Sequence, residues 1–166
     1  NKNKQFNHRE DIELHFIGHL QKNKARKAVQ LFDVIQTIDS LKLAKQINTI
    51  SKEEDKIQKI FLQTNTGNDP LKYGFSPEET IIAAKEISSM KNILMMGIMT
   101  IPPQGISKRK LRTIYKKTRE IRDKIKESIE GRCNNLSMGM SNDFEIAIAE
   151  GATHVRIGTA LFGERL

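Results

Sequence analysis

The sequence predicts a parallel α/β domain, and three observations carry that prediction. Short apolar runs alternate with amphipathic helical patterns, each strand–helix pair taking roughly 25–30 residues. The run Ile93–Met99 (ILMMGIM) is apolar throughout, as strands covered on both faces are. His19, Asn65, Thr100, Ser141, Gly158 and Thr159 all fall just after predicted strand ends, the face on which parallel α/β domains hold their sites. Six strands are visible. An open doubly wound sheet closes at that number, whereas a TIM barrel wants eight strands and about 250 residues. With 166 residues and Asn1 in first place, two βα units are expected to be absent from the front of a single domain spanning 1–166. The edges at Ile12–Ile17 and His154–Ile157 would then lack partners.

Residues 1–11 are polar and read as a loop or the tail of a helix. Ile12–Ile17 (IELHFI) is a strand ending at Gly18. His15 alternates with Leu14 and Phe16 and reads as a packing histidine, because no second His or Cys lies nearby to share a metal. Leu20, Ala28 and Leu31 fit a helix with a basic outer face. Val34–Ile38 (VIQTI) is the second strand. Asp39-Ser40 then caps a helix carrying Leu41, Leu43, Ala44, Ile47 and Ile50, and 51–56 reads as a charged, solvated loop. Lys59–Thr64 is the third strand and runs into the turn-rich TGNDPLKYG.

Ser76-Pro77-Glu78-Glu79 has the form of a capping box with proline in the first turn. Ile82, Ala83, Ile87 and Met90 are its expected buried stripe. After the fourth strand, Ser107 caps a long helix to about Gly131. Leu111, Ile114, Tyr115, Thr118, Ile121, Ile125 and Ile129 recur in it every three or four residues.

The stretch from Leu136 to Gly163 organises the rest. Leu136–Met138 is a short strand. Ser141 or Asn142 is the expected cap of the next helix, with Glu145 closing a box, and Gly151 stops that helix. His154–Ile157 is the last strand, followed by the Gly158-Thr159 turn. Two parallel strands thus end side by side, one presenting Ser141, the other Gly158 and Thr159. Backbone N–H groups, two hydroxyls and a helix dipole converging there suit a phosphate. Arg156, two residues before the turn, can aim at whatever carries that phosphate. On spacing alone the same stretch serves equally as a plain βαβ unit with a capped helix.

Composition narrows the class. The single cysteine, Cys133, excludes an intrachain disulfide and points to a reducing compartment. Arg132 beside it would lower its pKa, but a buried, inert thiol is the expectation. No apolar run approaches a membrane span. The sequon Asn135-Leu136-Ser137 sits in an expected buried strand and reads as chance. The net charge of +8 comes from Lys and Arg spread over several helices with acids interleaved, and aromatics are only 5%. With no stacking platform, nucleic acid is not the expected partner.

At these residues a family resemblance appears. LSMGMSNDFEIAIAEGATHVRIGTALFGERL resembles the signature of the pyridoxal phosphate homeostasis proteins, the YggS family. HFIGHLQKNKARKAV at 15–29, TIDS at 37–40, Lys72-Tyr73-Gly74 and GIMTIPP at 97–103 match in the same order. The resemblance implies a TIM barrel of the alanine racemase N-terminal type, with about six of its eight strands in this chain. It implies binding of pyridoxal 5′-phosphate (PLP), with Ser141, Gly158 and Thr159 holding the phosphate and Arg156 facing the pyridine nitrogen. It further implies PLP buffering or delivery to apoenzymes by a cytoplasmic monomer, without established catalysis, catalytic residues or metal. A PLP-dependent racemase or decarboxylase of the same fold type is the alternative. The family's Schiff-base lysine ends a strand before HFIG, and no stretch here corresponds to it. Lys24 and Lys72 read as surface lysines and do not replace it.

Overall fold

Six apolar runs become six parallel strands, each paired with the next in sequence: β1 (His15–Phe16), β2 (Val34–Ile38), β3 (Gln58–Gln63), β4 (Ile93–Met99), β5 (Asn135–Met140) and β6 (His154–Arg156). The computed structural model describes residues 12–129 and 132–163, so the expectations for 1–11 and for a helix end at Gly131 lie outside the described residues. Sequential order distinguishes this sheet from a doubly wound one, whose strand order reverses at a switch point. The sheet also curls. Six flat strands would set β1 and β6 about 24 Å apart. Yet the ring centroids of His15 on β1 and His154 on β6 lie 5.9 Å apart. The result is a curled α/β half-barrel.

The connecting helices are α1 (Ala25–Leu31), α2 (Leu41–Glu53), α3 (Pro77–Ser88), α4 (Lys108–Ser128), α5 (Phe144–Ala149) and α6 (Thr159–Phe162), with a 3-10 turn at Lys22–Lys24. Their starts follow the cap chemistry. The hydroxyls of Ser40, Ser76 and Ser107 accept from the N–H groups of Leu43, Glu79 and Lys110. Glu79 returns the bond to the Ser76 N–H at 2.8 Å, completing the capping box.

The helices cover the convex face. Ile35, Ile60, Leu62, Met95, Ile98, Leu136 and Met138 of the strands pack there against Leu43, Ala44, Ile47, Ala83, Ala84, Ile87, Tyr115, Ile121, Ile125 and Ala147. The concave face holds only a small apolar cluster of Val34, Phe61 and Met99, with Met96 and Ile101 against it. Polar side chains, among them Gln36, Ser137 and Arg156, take other inward positions.

Several sequence expectations change. The first strand pairs only at His15 and Phe16, because Leu14 is clamped by Asp33 instead, its N–H donating to Oδ2 at 2.8 Å. On α3 the buried stripe is Thr80, Ala83, Ala84 and Ile87. Ile82 is 68% exposed, since it falls between the turns that face the sheet. Helix α2 runs on to Glu53 with Ser51 buried. Lys56, expected to be solvated, donates to the carbonyls of Val29 and Phe32 at 2.7 Å each and so closes the C-terminal end of α1. Among the described residues no helix is long and apolar enough to cross a membrane.

Strands β4 and β5 approach so closely at Gly97 that a Cβ there would sit 2.0 Å from the Asn135 carbonyl oxygen and 2.9 Å from its Cα. Only backbone movement would relieve such an overlap. Gly97→Ala is therefore expected to cost about 4 kcal/mol or to prevent folding. Gly18→Ala, whose Cβ would meet only the Phe16 ring at 3.6 Å, should stay within about 0.5 kcal/mol of the parent. Urea unfolding of the two variants checks this, and equal midpoints would contradict it.

Candidate functional site

The loops leaving β4, β5 and β6 border an open cavity of about 1210 Å³. Strand β5 enters it at Met140. Gly139, at φ +95°, lets the chain turn against α5, where a Cβ would lie 2.6 Å from Ala147 Cβ. Asp143 then accepts the Met140 N–H on Oδ1 at 2.6 Å, a side-chain turn that fixes residues 141–143. Ser141 is thereby aimed across the cavity at the next loop. Its hydroxyl accepts from the N–H groups of Gly158 at 3.2 Å and Ala160 at 3.3 Å.

This corrects the expected capping. Helix α5 begins at Phe144 with Asp143 as its N-cap residue, and no side chain caps it. Ser141 and Asn142 precede the cap position, and Asp143 turns back to Met140 rather than forward. Ser141, Gly158 and Thr159 still meet: all three line the cavity. Gly158 precedes the short helix α6, and a Cβ on it would meet nothing within 4 Å. The Thr159 N–H has no hydrogen-bond partner among the described residues. The donors and the open approach suit an anion.

Arg156 also lines the cavity. Its Nη1 donates to Ser137 Oγ at 2.7 Å and its Nη2 to the Thr100 carbonyl at 2.9 Å, so its head group ties β6 to β5 and to the end of β4. Burial lowers the guanidinium pKa, and the hydroxyl of Tyr115 and the carboxylate of Asp143 oppose that effect. Ser137 is fully buried and donates to Gln36 Oε1 at 2.6 Å. Sequence reasoning missed Ser137 and Gln36. The available signal was a polar side chain at an inward position of a largely apolar strand, Gln36 in VIQTI and Ser137 in LSMGM.

The other candidates lie elsewhere. His19 stacks on Tyr73 at 3.7 Å and lies 3.4 Å from Asp39. Asn65 folds onto its own loop, donating to the carbonyls of Asp69 and Lys72. Thr100 is buried and donates to the Thr64 carbonyl. None of the three lines the cavity, although the Thr100 carbonyl holds Arg156. Lys24 ends the exposed 3-10 turn. Lys72 is not a free surface lysine: its Nζ donates to the Pro102 carbonyl at 2.8 Å.

Tyr115 is fully buried, its hydroxyl has no hydrogen-bond partner among the described residues, and burial together with nearby Asp143 pushes its pKa up. His15 does point inward, bonded to Gln36 and Glu13. The Cys133 thiol is buried and pushed up to about 12 by burial, which makes it inert at neutral pH. Arg132 does not lower it, because that guanidinium donates to the Ser88 carbonyl instead. Asn135 of the sequon lies in β5, its side chain bonded to the Met96 carbonyl. Among the described residues no three His, Cys, Asp or Glu side chains converge as a metal site.

Comparison with known proteins places this geometry. The family model of the alanine racemase N-terminal domain matches residues 8–166. A pyridoxal phosphate homeostasis protein of Aquifex aeolicus is 39% identical over 155 residues, covering 93% of this chain and 68% of that protein. PipY of Synechococcus elongatus, solved without PLP, superposes with a TM-score of 0.92 at 35% identity, covering 98% of this chain and 76% of that one. Its structure with PLP bound gives 0.86 at 34% identity over the same shares.

Burial also depresses the pKa of His154, with the neighbouring His15 acting in the same direction. The unfolded chain takes up this proton first as pH falls. The stability tied to the neutral ring is therefore present above about pH 6.5 and lost below it, down to the depressed folded value. Urea unfolding of His154→Gln between pH 7.5 and 5 should show a shallower loss than the parent, and an identical slope would refute the assignment.

Proposed function

We propose, from the premise that this chain belongs to the pyridoxal phosphate homeostasis protein family and has the alanine racemase N-terminal fold, that it binds PLP in the cavity at the ends of β4, β5 and β6. The observation that carries this reading is the cradle formed by the Ser141 hydroxyl, the open approach to Gly158 and the unpartnered Thr159 N–H. Those groups fit a phosphate ester: in an open site they offer the Ser141 O–H and the Thr159 N–H as donors, while the Gly158 and Ala160 N–H groups hold the serine oxygen in place.

Arg156 would lie toward the pyridine ring. When bound, PLP supplies an aldehyde carbon for amines and a ring that can accept electrons. A guanidinium beside the ring nitrogen disfavours a second positive charge there. The ring is then a weak electron sink, which suits a carrier better than a transaminase-like enzyme. In this reading the recipients are PLP-dependent apoenzymes of the cytoplasm and the carrier is monomeric. The racemase alternative needs a tyrosine at the reacting carbon. Within this chain Tyr115 is buried on α4 and Tyr73 is stacked on His19, so neither supplies it.

The test is a PLP titration by calorimetry with Ser141→Ala and Gly158→Ala. Gly158 has φ −116°, so alanine introduces no left-handed strain and only narrows the approach. Each variant should fold like the parent and bind PLP about tenfold more weakly. Pyridoxal, which lacks the phosphate, should bind all three proteins alike. PLP affinity unchanged in both variants would overturn the site.

A further inference from the structure

Arg156 stands at one end of a hydrogen-bond chain that crosses the concave face of the sheet. Its Nη1 donates to Ser137 Oγ at 2.7 Å, Ser137 donates to Gln36 Oε1 at 2.6 Å, and Gln36 Nε2 lies 2.6 Å from His15 Nδ1. His15 Nε2 lies 2.9 Å from Glu13 Oε2, and the other Glu13 oxygen accepts from Lys59 at 2.6 Å. Gln36 is 3% exposed and Ser137 is 0% exposed, so neither can trade a protein partner for water without cost.

The valences permit one direction only. A guanidinium can only donate. The Ser137 hydroxyl therefore accepts from Arg156 and spends its own proton on the Gln36 carbonyl oxygen. That orientation turns the Gln36 amide N–H toward His15, whose Nδ1 must accept. The ring proton then sits on Nε2 and points at Glu13. We infer that Gln36 and Ser137 are positioning residues that aim Arg156 at the cofactor ring, with the guanidinium setting the direction of the chain and the tautomer of His15 reporting it. The inference rests on the cofactor site proposed above.

The charged and titratable groups facing His15 are Glu13, His154 across the interior at 5.9 Å and, through Glu13, Lys59. Glu13 accepts on the Nε2 side and leaves Nδ1 to Gln36. A proton added to Nδ1 would set two donors face to face. Turning the amide over would relieve them, but the buried Ser137 hydroxyl, accepting from both Gln36 and Arg156, would then lose the acceptor for its own proton. The state of His15 is thus felt at Arg156, on the far side of the sheet.

The experiment uses ligand-free protein and a probe with ring and phosphate but no aldehyde, pyridoxine 5′-phosphate. Nitrogen-15 NMR at pH 8 should show His15 protonated on Nε2 alone. Finding the proton on Nδ1 would overturn the inference. Gln36→Leu should shift the Arg156 side-chain resonances and weaken pyridoxine 5′-phosphate about tenfold. Gln36→Glu still accepts from Ser137 and should retain binding, while its carboxylate, able only to accept, draws a proton onto His15 Nδ1. Should Gln36→Leu fail to fold, the His15 signal in Gln36→Glu decides. Weakening by Ser141→Ala with no effect of Gln36→Leu would sink the relay and leave the cofactor site standing. If neither variant changes affinity, the cofactor site itself is misplaced, and the His15 tautomer still decides the chain.

Discussion

A guanidinium carried into the concave face of a parallel sheet must be given acceptors, and the site is arranged around that requirement. Arg156 finds one on each of two neighbouring elements, the Ser137 hydroxyl of β5 and the Thr100 carbonyl just past β4. Both are buried, so the bonds form away from competing water and hold the charged form against desolvation. The same two bonds fix the relative heights of the ends of β4, β5 and β6, from which the cavity loops depart.

The split between the two faces of the sheet follows from strand order. With every strand beside its sequence neighbour, the crossover helices gather on the convex side and take nearly all the large apolar side chains. The concave side encloses too little volume for a second core of that size. It is filled by a small cluster around Phe61 and Met99 and otherwise by polar groups that satisfy one another. His15, Gln36 and Ser137 each have a partner there; Gln36 or Ser137 alone would be a costly buried group.

Precision at the loop after β5, where the phosphate cradle is proposed, comes from short-range devices. The left-handed φ of Gly139, the Asp143 side-chain turn and the close contact with Ala147 leave Ser141 little freedom. The cradle is thus preset by chain geometry rather than by the ligand. Lys72 binds a second loop to the rim through the Pro102 carbonyl, which links the turn-rich segment after β3 to the segment after β4.

The sequence by itself determined the elements and the side of the sheet on which the site lies. Caps at Ser40, Ser76 and Ser107, the 3.6-residue stripe of α4 and the apolar run of β4 are local signals, set by bonds and contacts within one turn or one strand. The meeting of Ser141, Gly158 and Thr159 at one end of the sheet was legible for a related reason: residues just after parallel strands share one face whatever the details, and Arg156 ends β6 itself. Tertiary structure alone decided which groups meet across strands. Ser137 and Gln36 are 101 residues apart in sequence, and nothing local in VIQTI or LSMGM names the other as partner. The same holds for Lys56 at the end of α1 and for Ser141, whose hydroxyl reads as a helix cap until the neighbouring loop supplies two better donors. Side-chain hydrogen bonds have no sequence period. Where a polar group has both a local and a distant partner within reach, the curl of the sheet makes the choice.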